Sequence, residues 1–225
     1  MTETDRRPIA TRQTAWAQVL ARRICRTGLT PNAISGLSVV FAMGAGAALA
    51  VVPTVDRPDW RAALLVVSAV CIQLRLLCNL LDGMVAIEGG RRTPTGELWN
   101  EVPDRIADGA ILIGVGLAAA AWPAAATLGW AATFAASLTA YIRALAKSVG
   151  LPGLFLGPMA KPQRMAAITI ACLVEALLLA MPGLVAEGVV LYGTLIVVLA
   201  GTVLTFIRRL RRTANHLVNQ PCSQV

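Results

Sequence analysis

Six apolar runs, each about as long as a bilayer is thick, constrain this 225-residue chain more than any other feature. They lie at about 33–52, 60–82, 98–122, 124–146, 164–181 and 188–207, and a helix needs ~20 apolar residues to cross the hydrocarbon core. In lipid the backbone N–H and C=O groups of a spanning segment must be satisfied internally, so a run of this length has to be helical. The expected fold is therefore all-α, a six-transmembrane-helix bundle forming a single membrane domain over residues 1–225. Composition agrees, with 56% hydrophobic residues and a mean hydropathy of +0.67.

A formal net charge of +8 raises the question of nucleic acid. The basic residues, however, sit at the ends of the apolar runs and form no stripe among aromatics, which excludes that partner. All but Arg57, Arg61 and Arg75 fall in the leader, in residues 79–108, in residues 143–164 or in residues 208–212. These stretches lie on one side of the alternating runs, so the positive-inside rule places both termini and both larger loops in the cytoplasm of a multi-pass cell-membrane protein. Ahead of the first run, residues 10–27 set Trp16, Val19, Leu20 and Ile24 among Arg12, Arg22, Arg23 and Arg26. That pattern predicts a basic amphipathic helix lying at the membrane interface. The cluster Arg208, Arg209, Arg211 and Arg212 reads as a headgroup anchor.

The five cysteines contain no CxxC pair, so neither a disulfide framework nor a zinc site is indicated. Gly44, Gly46, Gly109, Gly114 and Gly116 offer small surfaces on which helices approach closely in lipid. No pair of similar halves with broken helices is visible, which argues against a transporter.

The polar side chains gather in residues 79–108. Arg75, Asn79 and Asp82 share one helix face, at i, i+4 and i+7, and Gly96, Asn100, Asp104 and Asp108 step along another at intervals of four. The short connection predicts that the two helices are antiparallel neighbours with these faces opposed. Two carboxylates and two carboxamides would then converge at the cytoplasmic surface. Oxygen-only ligands suit a hard cation such as Mg²⁺, which usually also engages substrate phosphates. Arg75 and Glu175 are read as an intramembrane ion pair. Pro103 is expected to kink its helix.

These residues resemble the signature of the CDP-alcohol phosphotransferases, D-x2-D-G-x2-A-R-x8-G-x3-D-x3-D. Asp82, Gly83, Ala86, Gly96 and Asp104 match with every interval kept, while Asn79, Asn100 and Ile87 stand where the signature has Asp, Asp and Arg. A second register, with Asp104 and Asp108 as the final pair, breaks the x8 interval. Thr30-Pro31-Asn32 before the first run and Tyr141-Ile142-Arg143 after the fourth also look like family features.

The resemblance implies transfer of a substituted phosphate from a CDP-linked donor, usually CDP-diacylglycerol, to an acceptor alcohol, with release of CMP, in phospholipid synthesis. It implies Mg²⁺ or Mn²⁺ held at Asn79, Asp82, Asn100 and Asp104, with Asp104 as general base, and a homodimer. By the same resemblance Thr30, Pro31, Asn32, Gly83, Ala86 and Gly96 border the donor. Each Asn keeps a carbonyl ligand but loses a charge, for which Glu88, Glu101 or Asp108 are candidates to compensate. With Ile87 in the arginine position, Arg91, Arg92 and Arg105 are the nearest cations for the diphosphate. Arg143, Lys147, Lys161 and Arg164 are candidates for holding a phosphorylated acceptor or for touching lipid headgroups. The alternative is a homologue that binds nucleotide or lipid without turnover.

Overall fold

Proline and glycine cut the chain into helices close to where the apolar runs end. The computed structural model describes residues 14–88, 95–151, 153–181 and 186–219, and these contain seven α-helices and no strand. Helix α1 is Ala15–Thr27, α2 Pro31–Val51, α3 Pro58–Glu88, α4 Gly96–Ala118, α5 Ala125–Ser148, α6 Lys161–Leu178 and α7 Val189–Val218. Start signals are local: Thr30 caps α2, its Oγ1 accepting from the N–H of Ala33 at 3.2 Å, and Pro31 takes the first helical position.

Four helices are long and apolar enough to cross a membrane, namely α2 with its following turn, α3, α5 and α7. The chain is thus a multi-pass membrane protein. Helices α4 and α6 fall short of that measure because α4 carries Glu101, Asp104, Arg105 and Asp108, and α6 Lys161, Arg164 and Glu175. Outward-facing Trp130, Phe134, Ile170, Leu177 and Val197 are exposed, as lipid contact requires.

From α2 to α7 the helices close into a ring in the order α2, α4, α5, α7, α6, α3 and back to α2. Alanine, leucine and isoleucine fill its interior, with Leu49, Leu65, Ile72, Ile111, Leu112 and Ile168 fully buried. The closest approaches use glycine. A Cβ on Gly114 would lie 2.8 Å from the carbonyl oxygen of Gly46, and one on Gly129 would lie 2.9 Å from that of Leu112.

Several helix ends differ from the sequence expectation. Helix α3 continues past residue 82 to Glu88, since nothing stronger than Gly83 interrupts it. Helix α4 stops at Ala118, not 122, because Trp122 leaves the helix to donate from Nε1 to the carbonyl of Glu187 at 2.9 Å and to stack on Tyr192. It also runs unbroken through Pro103. Helix α7 extends to Val218, beyond 207. Its last turns are tied down by Arg209, which is buried and donates to the carbonyls of Thr139 at 2.7 Å and Leu156 at 2.9 Å. Arg209 is therefore an internal tie and no headgroup anchor; Arg208, Arg211 and Arg212 remain exposed.

Two further expectations are corrected. Glu175 does not pair with Arg75. Its carboxylate accepts from the N–H groups of Gly188 (2.6 Å), Val190 (3.0 Å) and Leu191 (3.4 Å), capping α7 where the first N–H groups lack partners and negative charge is favoured. In α1, Ala17 and Ala21 form the buried face against α3, with Leu20 and Ile24 packed beside them, whereas Trp16 and Val19 are exposed. Residues 10–13 of that expected helix lie outside the described residues.

The close approach of α2 and α4 makes a sharp test. Gly114→Val forces the two backbones apart and should cost about 1–3 kcal/mol of stability, the usual penalty for overpacking. Gly193→Ala, where an added Cβ meets nothing within 4 Å, should keep or raise the thermal midpoint in detergent, since Gly within a helix is worse than Ala by roughly 0.5–1 kcal/mol.

Candidate active site

The two halves of the signature lie at the end of α3 and the start of α4, yet these helices are not the direct neighbours expected. Both pack along α2, and they scarcely touch one another. Long polar side chains bridge the gap. Asp104 receives the carboxamide N–H of Asn79 on Oδ1 at 2.7 Å, and the Lys161 ammonium bonds the same oxygen. The Arg75 guanidinium reaches that oxygen at 3.5 Å, and Arg105 lies 3.8 Å from Oδ2.

One turn deeper, Asp108 binds Arg75 at 2.5 Å and Arg164 at 2.7 Å, and Arg164 also donates to the carbonyl of Met159 at 3.1 Å. Arg75 is completely buried, while Arg164 and Asp108 are 2% and 3% exposed. Ions in such surroundings persist only when paired, and here each has a partner. Helical spacing supplies the layout: Arg75 and Asn79 are one turn apart on α3, Asp104 and Asp108 one turn apart on α4.

Asp82 stands beside this cluster, 6% exposed, with one carboxylate oxygen accepting from Ser35 Oγ of α2 at 2.7 Å. Lys161, at the first position of α6, is half-buried and sits near Arg75. Burial and that like charge push its ammonium down to about 8, against the opposing pull of Asp104 and Asp108.

Among the expected site residues, Asn79, Asp104, Lys161 and Arg164 are brought together, with Asp82 close by. Thr30, Pro31 and Asn32 form the start of α2, and Gly83, Ala86 and Gly96 are half-buried at the ends of α3 and α4. Arg143 is tied to Glu101 by an ion pair, and Lys147 is in the last turn of α5. Arg91 and Arg92 lie outside the described residues, as do the side chains of Ile87, Glu88 and Asn100. Ser35 was missed by sequence reasoning; the signal was a hydroxyl one turn after Pro31 in an otherwise apolar stretch.

The donor set can be weighed against the two divalent ions that the signature implies. Among the described residues no group of three or more His, Cys, Asp or Glu side chains is placed to hold a metal. Asp82 and Asp104 bring two negative charges, and the carboxamides bring none. Asp104 already carries Lys161 and Arg75 on Oδ1, with Arg105 near Oδ2, so the described side chains do not make up the set that two divalent ions need.

The ring of helices is a fold already seen in an enzyme of phospholipid synthesis. Among the structures that share it are those of the phosphatidylinositol phosphate synthase PgsA1 of Mycobacterium tuberculosis. With CDP-DAG bound, that protein is 23% identical at a TM-score of 0.68, over 89% of this chain and 94% of the synthase. With manganese and citrate the TM-score is 0.69 at the same identity, over 88% of each chain, and the apo form gives 0.65. No protein-family model matches the chain, and no curated protein does. The likeness is one of fold, and it agrees with the resemblance carried by the signature.

The Arg75–Asp108 bond yields a prediction. Asp108→Ala strands two buried guanidinium groups and should destabilise by about 3–5 kcal/mol, as loss of one partner of a buried pair does. Arg75→Lys keeps the charge, but a shorter side chain must reach the two carboxylates that Nη2 alone contacts, so it should lower the thermal midpoint by less than Asp108→Ala does.

Proposed function

We propose that the protein is a CDP-alcohol phosphotransferase. It transfers a substituted phosphate from a CDP-linked lipid, CDP-diacylglycerol, to the hydroxyl of an acceptor alcohol and releases CMP. The observation that carries this reading is Asp104: the last position of the signature is a nearly buried carboxylate, 8% exposed, with Oδ1 fully engaged by protein donors and Oδ2 left for a substrate proton. The shared fold with a synthase whose structure was determined with CDP-DAG bound supports it.

In this reading the acceptor oxygen forms a bond to the phosphorus nearest the lipid, and the bond from that phosphorus to the oxygen of CMP breaks. Asp104 Oδ2 takes the hydroxyl proton, and the oxygen of CMP carries away the electron pair. Arg75, Asn79 and Lys161 keep Asp104 in one orientation, which a general base needs for efficient transfer. A divalent cation, Mg²⁺ or Mn²⁺, is assigned to the Asp82 side of the site, where it would offset charge on the diphosphate.

Thr30, Pro31, Asn32, Gly83, Ala86 and Gly96 are assigned to the donor side. On the acceptor side, Arg164 is committed to Asp108, while Lys161, paired with Asp104, Arg143, paired with Glu101, and Lys147, in the last turn of α5, are assigned to an anionic group of the acceptor. The site and both termini are assigned to the cytoplasmic face of the cell membrane, where a charged leaving group enters water. The exposed Trp16 and Val19 of α1 suit contact with the membrane interface.

The second reading, a homologue that binds CDP-lipid without turnover, is favoured by the saturation of Asp104 Oδ1 and by the two carboxamides. Labelled CDP-diacylglycerol, Mn²⁺ and a panel of acceptor alcohols decide between them. CMP release with any acceptor establishes transfer, and CDP-lipid binding with no CMP from any acceptor establishes the second reading. Asp104→Asn should lower turnover by about 10²–10⁴-fold, the usual worth of a general base, while CDP-lipid still binds. Unchanged turnover would remove Asp104 as the base.

A further inference from the structure

We propose that Glu101 couples the acceptor to the base: when an anionic group of the acceptor takes Arg143, Glu101 passes to Arg105 and draws it off Asp104 Oδ2. The inference rests on the reading of Asp104 as the base of a CDP-alcohol phosphotransferase and adds a positioning residue to that site.

Arg143, Glu101, Arg105 and Asp104 form a chain of neighbours with alternating charge. Glu101 turns one oxygen to each arginine: Oε1 is bonded by Arg143 of α5, and Oε2 lies 3.6 Å from Nη2 of Arg105. The same Nη2 lies 3.8 Å from Asp104 Oδ2. Both separations exceed hydrogen-bond length, so this nitrogen is shared between two carboxylates and bonded to neither. The Nε of Arg105 is buried and has no partner. Arg105 is thus held by charge and not by a fixed set of bonds.

Exposure decides which of these contacts can change. The side chains of Arg143 and Glu101 are 34% and 36% exposed, against 11% for Asp104. An ion pair so open to water is weak, and a phosphate group offers a guanidinium more charge and more acceptor oxygens than a carboxylate does. A phosphate on Arg143 therefore displaces Glu101. Among the described residues the other cation of Glu101 is Arg105, one helical turn along α4. Closing the 3.6 Å gap to a hydrogen bond draws Nη2 towards Glu101. A cation at Asp104 Oδ2 competes with the proton that a base must take, so its departure leaves this oxygen for the acceptor hydroxyl. Asn79 and Arg75 still hold Oδ1 and keep the carboxylate in place. Arrival of the acceptor's charge and readiness of the base become one event.

The experiment is a titration of the purified full chain in detergent with inorganic phosphate, following the side-chain Nε resonances of ¹⁵N-labelled arginine. Those of Arg105 and Arg143 are the ones missing from Arg105→Lys and Arg143→Lys. In the wild type both should move with the same half-saturation; if either ignores phosphate, the proposal is overturned. In Glu101→Gln the Arg143 resonance should still move, at about two- to fivefold less phosphate because a half-exposed ion pair no longer competes, while that of Arg105 stays still. Arg143→Gln should silence Arg105 independently, so the test survives if Glu101→Gln does not fold. An Arg105 response that persists in either variant means direct binding and overturns the coupling. With an anionic acceptor, Glu101→Gln should lower KM and kcat together, since Arg105 then closes on Asp104, and adding Arg105→Gln should restore kcat. A wild-type kcat in Glu101→Gln also overturns the coupling. The titration reads no turnover, so linked shifts in a chain that releases no CMP overturn the transfer reading alone. An active chain with a silent Arg105 overturns this proposal alone.

Discussion

Everything near the centre of this protein depends on the bond between Arg75 and Asp108, a full positive and a full negative charge sealed inside an apolar bundle. Taking each ion out of water costs several kcal/mol, and mutual attraction offsets that only with good geometry and further partners. Asp104 and Arg164 are those partners. Through them α3, α4 and α6 meet at one point, though α3 and α4 hardly touch elsewhere. Asp104, 8% exposed, is the outer end of the network, anchored by charges that water does not reach.

The helices were legible because their signals are local. Apolar length, Thr30 before Pro31 and the breaks at Pro53 and Pro123 each act within a few residues. The pairing of Asn79 with Asp104 was also within reach, since a helical repeat puts both at facing ends. What spacing along one helix cannot encode is the order of helices around the ring. Glu175 and Arg75 are the obvious opposite charges in their segments, yet the ring sends Glu175 to the first turn of α7 and Arg75 to α4. Arg209 looked like one of a set of surface arginines. Only the arrival of Thr139 and Leu156 beside it shows that it closes the bundle from within.

Asp and Asn are nearly the same shape, and the intervals of the signature are intact across both exchanges. Geometry and charge have therefore separated in this chain. The backbone keeps the positions of a four-carboxylate centre, whereas the electrostatics are those of two carboxylates among several cations. A sequence comparison that counts only identities loses this distinction, because it cannot see that Lys161 comes from another helix to the same oxygen.

Helix α2 lies between the two halves of the signature, with Gly46 and Gly114 setting its distance from α4. It acts as a spacer bar. The separation of α3 and α4 is then about one helix diameter, roughly 10–12 Å, a length set by the backbone of α2. Mechanically, a bulkier residue at position 46 or 114, far from any reacting atom, would widen it.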